Sequence, residues 1–195
     1  MNANAITKTI WIAVILLIIG VPAMAQDRPT GPGDFKIRSI RKQLVVAQDV
    51  RALATGTAIP ASAANKKWLR IEVEFDSTPE WADDVLMKYF VLVGKGRDAK
   101  LLVGEITHVN VEKGTRHASA MFAHPNTVER YGKGNVEAVA VQLFHQSRLI
   151  DQNSDPATNQ RWWEQYTPTT GQLLPPHYSP WASVAHEKYE AAKMP

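Results

Sequence analysis

The chain of 195 residues contains no cysteine. That absence excludes disulfide staples, thiolate metal sites, thiol nucleophiles, CxxC redox chemistry and a lipid anchor carried on cysteine. Long hydrophobic runs are missing too. The longest, Ile10 to Val21, is about 12 residues, short of the roughly 20 that a membrane-spanning helix needs. Nor is there a dense run of one charge. The 22 Lys+Arg and 19 Asp+Glu leave a net charge of +3 spread along the chain, so no polyelectrolyte tail points to nucleic acid. With 45% hydrophobic and 21% charged residues the composition is that of a globular domain, without a fixed repeat or low-complexity tract.

Among what is present, the N-terminus comes first. Lys8 precedes the apolar run, and Pro22 with Ala23-Met24-Ala25 follows it. A charged start, a short apolar stretch and an A-x-A site predict a signal peptide over 1–25, cleaved after Ala25. The expected product is exported, periplasmic or at the cell surface, with no membrane anchor after cleavage. Residues 26–34 (QDRPTGPGD) read as a flexible lead-in.

Strand patterns dominate from Phe35 onward, and 35–151 is expected to form the main domain. Phe35 to Val46 reads as a strand of imperfect period, and Ala52 to Asn65 as a surface loop. In Trp68 to Phe75 (WLRIEVEF), Leu69, Ile71, Val73 and Phe75 alternate with Trp68, Arg70, Glu72 and Glu74, the period of a half-buried antiparallel strand. Asp76-Ser77-Thr78-Pro79 reads as a turn. Val85 to Val93, Lys100 to Glu112, Thr115 to Ala123, Val136 to Phe144 and a short piece near Arg148 to Ile150 complete six or seven strands. His124-Pro125-Asn126 is expected to end one of them. With no helix long enough for a parallel crossover, the fold class is mainly β, an antiparallel β-sandwich. Ile71→Ala or Val141→Ala should then cost about 2 to 5 kcal/mol, while Glu72→Ala, on a solvated face, should stay within about half a kcal/mol.

Residues 152–195 form a Pro/Trp-rich C-terminal extension. Asp155-Pro156 and Ser179-Pro180 each place a capping side chain before a proline suited to a first helical turn. Two short helices are expected, one through Arg161 to Tyr166 and one through Trp181 to Lys193.

Little in the sequence points to chemistry. Gly94-Lys95-Gly96 and Gly132-Lys133-Gly134 lack the G-x-x-x-x-G-K-[ST] context of a phosphate loop and read as turns. The six histidines show no H-E-x-x-H spacing; His108 and His117 could meet across a hairpin, but no metal is expected. There is no G-x-S-x-G elbow. No catalytic residue and no cofactor are assigned, and the expectation is a protein without enzymatic activity. The aromatic residues are the candidates for contact with a partner: Trp68 on the polar side of its strand, and Trp162, Trp163, Tyr166 and Trp181 in the extension. They either stack on a sugar or dock a protein, or else Trp68, Trp162 or Trp163, Tyr166, Tyr178 and Trp181 fold back together as one satellite core over the sheet that carries Trp68.

The succession WLRIEVEF, VLMKYFVLVG, LLVGEITHVNVEKGTRHASAMFAHPNTVERYG and VEAVAVQLF resembles the secreted immunoglobulin-like β-sandwich proteins associated with type IV pilus-like gene clusters of Verrucomicrobia, which include gut mucin-degraders. The most distinctive stretch is Met121 to Gly132 (MFAHPNTVERYG). The resemblance implies an immunoglobulin-like fold and a non-enzymatic, pilus-associated role in the cell envelope, such as adhesion or assembly. The implied partner is an envelope or pilus-assembly protein, with a mucin-type glycan as the alternative. The cysteine pair of antibody domains is absent, and the cleavable apolar run departs from the retained N-terminal helix of pilins.

Overall fold

In the computed structural model the described residues are 33–47 and 66–193. The expected signal peptide, most of the lead-in and the loop expected over Ala52 to Asn65 lie outside them. Seven principal strands follow in order: β1 (Phe35–Val46), β2 (Lys67–Ala82), β3 (Val85–Val93), β4 (Lys100–His108), β5 (Val111–Ala123), β6 (Val136–His145) and β7 (Arg148–Asp155). A helix, α1 (Pro125–Gly132), joins β5 to β6. Two short strands, β8 (Pro168–Thr170) and β9 (Leu173–Leu174), and a helix, α2 (Ala182–Lys188), belong to the extension.

The strands form two sheets, β1-β2-β5-β9 and β7-β6-β3-β4-β8, packed as a mainly β sandwich. Every pairing is antiparallel except β4 with β8. Alternation sets which side chains meet between the sheets. Leu69, Ile71, Val73 and Phe75 of β2 face Val85, Met87, Tyr89 and Val91 of β3 and Val139, Val141 and Leu143 of β6, all essentially without solvent exposure. Each such aliphatic or aromatic side chain contributes about 1.5–3 kcal/mol on burial.

Four local expectations change. The segment Asp76 to Pro79 does not turn; β2 runs on to Ala82, and its pairing with β5 slips between Phe75 and Ser77 and again between Ser77 and Trp81. Those bulges accommodate Pro79, which has no N–H to give to a ladder. His124-Pro125-Asn126 ends β5 but also opens α1, with Pro125 in the first turn and His124 Nδ1 accepting the Asn126 N–H at 3.1 Å. The stretch expected as one strand from Lys100 to Glu112 is split into β4 and β5 by a tight turn at Asn110, which has φ 55°. The Asn110 N–H donates to Asp83 Oδ1 at 2.8 Å and ties that turn to the β2–β3 connection. Asp155 ends β7 and opens no helix; its bond to Pro156 is cis.

Of the two expected C-terminal helices, the first is a single 3-10 turn over Trp162–Gln165. The second, α2, stops at Lys188 because the residues beyond it leave the helix to pair with the body: Glu190 N–H donates to Ala118 O at 2.9 Å and Lys193 N–H to Thr107 O at 2.8 Å, while Val109 N–H donates back to Ala191 O at 3.0 Å.

The extension therefore closes the sandwich. β8 lies along β4, β9 crosses to lie along β5, and the last described residues return to the far end of β4. An unpaired strand edge is a template for another chain, and here both edges on one side are occupied by the protein's own tail. On the opposite side Ile37 N–H donates to Asp151 Oδ2 at 2.7 Å and links β1 to β7. The N–H groups of Gln152 and Ser154 on β7 are taken by the preceding side chains, Asp151 Oδ1 at 2.9 Å and Asn153 Oδ1 at 2.8 Å. Lysine and arginine residues along β1 further oppose edge pairing.

Candidate functional site

The five aromatic residues singled out in the sequence do not gather in one place. Trp163 is 6% exposed and sits on the outer face of the β3-containing sheet with Leu101, Val103 and Ala140. Its ring stacks on Phe90 at 5.4 Å between centroids, and Trp162 meets it edge-on at 5.5 Å. Tyr166 packs against the same cluster. Trp181 stacks on Phe122 at 5.3 Å across the outer face of the other sheet, where Trp68 meets it edge-on at 6.4 Å and Tyr189 and Ala185 complete the group. The single satellite core expected from sequence is thus two clusters on opposite faces. The physical reason is the crossing between β8 and β9: the chain passes from one sheet to the other, and each half of the tail delivers its own tryptophans to the face it has reached. Tyr178, expected in the same core, is exposed beside His177.

A groove of about 580 Å³ runs beside the first cluster, walled by Phe90, Trp163 and Tyr166, with Lys88, Glu105 and Gln142 along its floor. Lys88 and Glu105 are directly opposite on β3 and β4 and pair at 2.7 Å. The groove holds aromatic rings and hydrogen-bonding groups of both signs, the mixture that a polar, ring-shaped ligand requires.

Farther along the same outer face, Leu86, Phe144 and Leu149 stand side by side, Leu86 opposite Phe144 and Phe144 opposite Leu149. Leu149 is exposed and the other two half-buried. Trp81, near the end of β2, is 61% exposed, the most open large hydrophobic residue among those described. Sequence pattern did not single out Trp81, because it follows Pro79 in a stretch read as turn and its neighbours supply no clean alternation.

The polar groups with catalytic types of side chain lie inside. Tyr89 Oη donates to Ser119 Oγ at 2.7 Å, and Ser119 Oγ stands 2.7 Å from His108 Nε2. In the tautomer that carries the ring proton of His108 on Nδ1, Ser119 accepts from Tyr89 and gives its own proton to Nε2. That Nδ1 faces the carbonyls of Ala191 and Glu190 without a well-formed hydrogen bond. Burial pushes the His108 pKa down from 6.5 to about 4 and the Tyr89 phenol well up. The Ser–His distance suits a nucleophile and its base, but all three side chains have zero exposure, and an external substrate does not reach Ser119. His117 also packs on Phe75, its ring 5.3 Å from that of Phe75, and pairs with Glu190 at 2.8 Å. Among the described residues no three metal-ligating side chains come together.

One carboxylate expected at a solvated face has another role. Glu72 lies under the tail, accepting from Tyr189 Oη at 2.7 Å and from Lys188, with Arg70 beside it. Burial alone would raise its pKa, but the bonds from Lys188 and Tyr189 and the nearby Arg70 charge together hold it below the usual carboxylate range.

Sheets and tail together define a mainly β sandwich, closed by its own C-terminal strap, with aromatic clusters on both outer faces and its Tyr–Ser–His relay sealed in the core. Residues 52–195 match a protein-family model, and the chain belongs to that family. A crystal structure of a protein from Akkermansia muciniphila shares the fold, with a TM-score of 0.67 over 83% of this chain and 93% of that one, at 17% sequence identity. No curated protein matches the sequence. The sequence-based resemblance to verrucomicrobial β-sandwich proteins thus holds at the level of the β-sandwich fold.

Proposed function

We propose that the protein is a non-enzymatic, exported component of the cell envelope that serves a type IV pilus-like or other surface assembly as an accessory or interaction protein. The observation that carries this reading is the apolar row Leu86, Phe144 and Leu149 on the part of the outer face that the tail leaves uncovered. Exposed apolar side chains in register form a docking surface for a protein more readily than for a solute. The strand order supports reading the sandwich as immunoglobulin-like: β1-β2-β5 against β7-β6-β3, a Greek-key arrangement, with β4 beside β3. Photo-crosslinking from position 149 in intact cells should capture an envelope assembly protein, and Leu86→Asp with Phe144→Asp should abolish capture while the fold persists. Crosslinks unaffected by those substitutions would refute the assignment.

Glycan binding is the second reading, favoured by the groove beside Tyr166. The faces of Trp163 and Trp181 are already covered by Phe90 and Phe122, so Tyr166 and the polar floor would have to make the contacts. Titration with mucin-type glycans should then shift tryptophan fluorescence through Trp162 and Trp163, and an unchanged spectrum contradicts it.

A further inference from the structure

The two Gly-Lys-Gly segments are 38 positions apart in sequence, Gly94 against Gly132, and in the fold they are neighbours. Gly94 and Lys95 follow β3, Gly132 and Lys133 end α1, and Gly94, Lys95, Gly132 and Lys133 line one pocket of about 450 Å³ together with Tyr131 and Asn135. The glycines are needed for the approach itself. A Cβ on Gly94, which has φ 82°, would lie 3.0 Å from Tyr131 O, and a Cβ on Gly132 would lie 3.1 Å from the Val93 Cβ and 3.3 Å from Gly94 N. The two loops are then locked by reciprocal bonds, Gly94 N–H to Asn135 O at 3.2 Å and Asn135 Nδ2 to Gly94 O at 3.5 Å. Lys133 is held in the left-handed region at φ 49° by its N–H bond to Glu129 O. Both lysines therefore stand on fixed backbone at the rims of one hollow.

Two lysines line this one hollow. Arg38, Arg41, Lys42, Lys88 and Lys188 all pair with carboxylates. The ammonium groups of Lys95 and Lys133 have no ion pair or hydrogen bond among the described residues, and Asp98 is the one carboxylate on the pocket wall. The Arg130 guanidinium lies over the Tyr131 ring at 5.1 Å and adds a third cation nearby. Two unpaired cations on rigid loops favour a compact oxyanion, and the pocket is larger than a bare ion requires. The Tyr131 hydroxyl, which makes no hydrogen bond to another described residue, and the Asn135 amide oxygen offer contacts for hydroxyl groups.

We propose that this pocket binds a sugar bearing a compact oxyanion, with Lys95 and Lys133 clamping the sulfate, phosphate or carboxylate and Tyr131 and Asn135 meeting the ring hydroxyls. It lies at the end of β3 and start of β6 opposite to Leu86 and Phe144, so its test is independent of the assembly role.

Calorimetric titration of the purified full-length protein with galactose 6-sulfate, glucuronate, galactose and inorganic sulfate tests it. The anionic sugars should bind, galactose should not, and inorganic sulfate should bind more weakly than the sulfated sugar. The double variant K95Q/K133Q should weaken the anionic sugars at least about tenfold, with an unchanged thermal midpoint because both side chains are exposed. Raising the salt should weaken binding to the unsubstituted protein. No binding of either anionic sugar at millimolar concentration, equal binding of galactose, or unchanged affinity in the double variant overturns the proposal. Inorganic sulfate binding as tightly as the sulfated sugar overturns its sugar half.

Discussion

Acidification from pH 7 to pH 5 should weaken the fold through His108. In the folded protein burial holds this ring neutral down to a pKa of about 4, whereas in the unfolded chain it titrates near 6.5. Between those values the unfolded state binds the extra proton, so stability rises with pH and is lost as pH falls. The full difference is worth about 3 kcal/mol, and about 2 kcal/mol of it is lost between pH 7 and pH 5. Glu72 and Asp76 are both held below their ordinary values, Asp76 chiefly by its hydrogen bond from Arg38, so their own losses fall toward the acid side of that window. Urea unfolding at half-unit pH steps gives the profile, and His108→Gln supplies the comparison, since an amide can still bond Ser119 but does not titrate. The difference between the two profiles should grow by about 2 kcal/mol across the window. Parallel profiles would mean that His108 is hydrated or protonated in the native state and that the buried relay is wrongly drawn.

Other substitutions test the strap and the core. Glu72→Ala should cost about 1–2 kcal/mol, since it strands the buried Tyr189 hydroxyl; equilibrium unfolding would show a neutral effect if the tail does not rest there. Gly104→Val should destabilise by about 1–3 kcal/mol, because even a Cβ at Gly104 would lie 2.7 Å from the Leu173 Cβ and 2.6 Å from Met121 Cε. A neutral thermal shift would remove β9 from the core. Ile71→Ala should lose about 2–5 kcal/mol in urea, its side chain being wholly buried; a loss below about 1 kcal/mol would mean the register of β2 is wrong.

The main strands were legible because alternation is a local signal. Phe35–Val46 and Val85–Val93 coincide with the strands expected, and Ile71, Val73 and Val141 face inward as their period requires. Turn chemistry was less informative. Asp76 and Pro79 are turn residues by composition, yet β5 alongside and the Arg38 and Arg116 contacts to Asp76 carry the strand through them. Glu72 looked solvated because nothing within β2 reveals that Lys188 and Tyr189 return to cover it. The convergence of two Gly-Lys-Gly turns has the same character: each is unremarkable locally, and only the packing of α1 against the end of β3 makes them one pocket. Likewise the tail's aromatic residues announced that it docks, but which face each ring covers depends on where the chain crosses the edge of the sandwich.

Closure of the sandwich by its own C-terminal extension is most directly tested by native-state hydrogen exchange of the amides that stitch it in place. Val109 and Glu190 donate to Ala191 and Ala118, and Leu173 lies in the main core at 5% exposure. If the tail is a structural part of both sheets, the amides of Val109 and Glu190 exchange only with the global unfolding of the β2 and β3 amides, at the same free energy and with the same dependence on urea. Exchange of Val109 and Glu190 orders of magnitude faster than the strand amides, and independent of urea, would show the extension detaching from an intact sandwich and would contradict that closure.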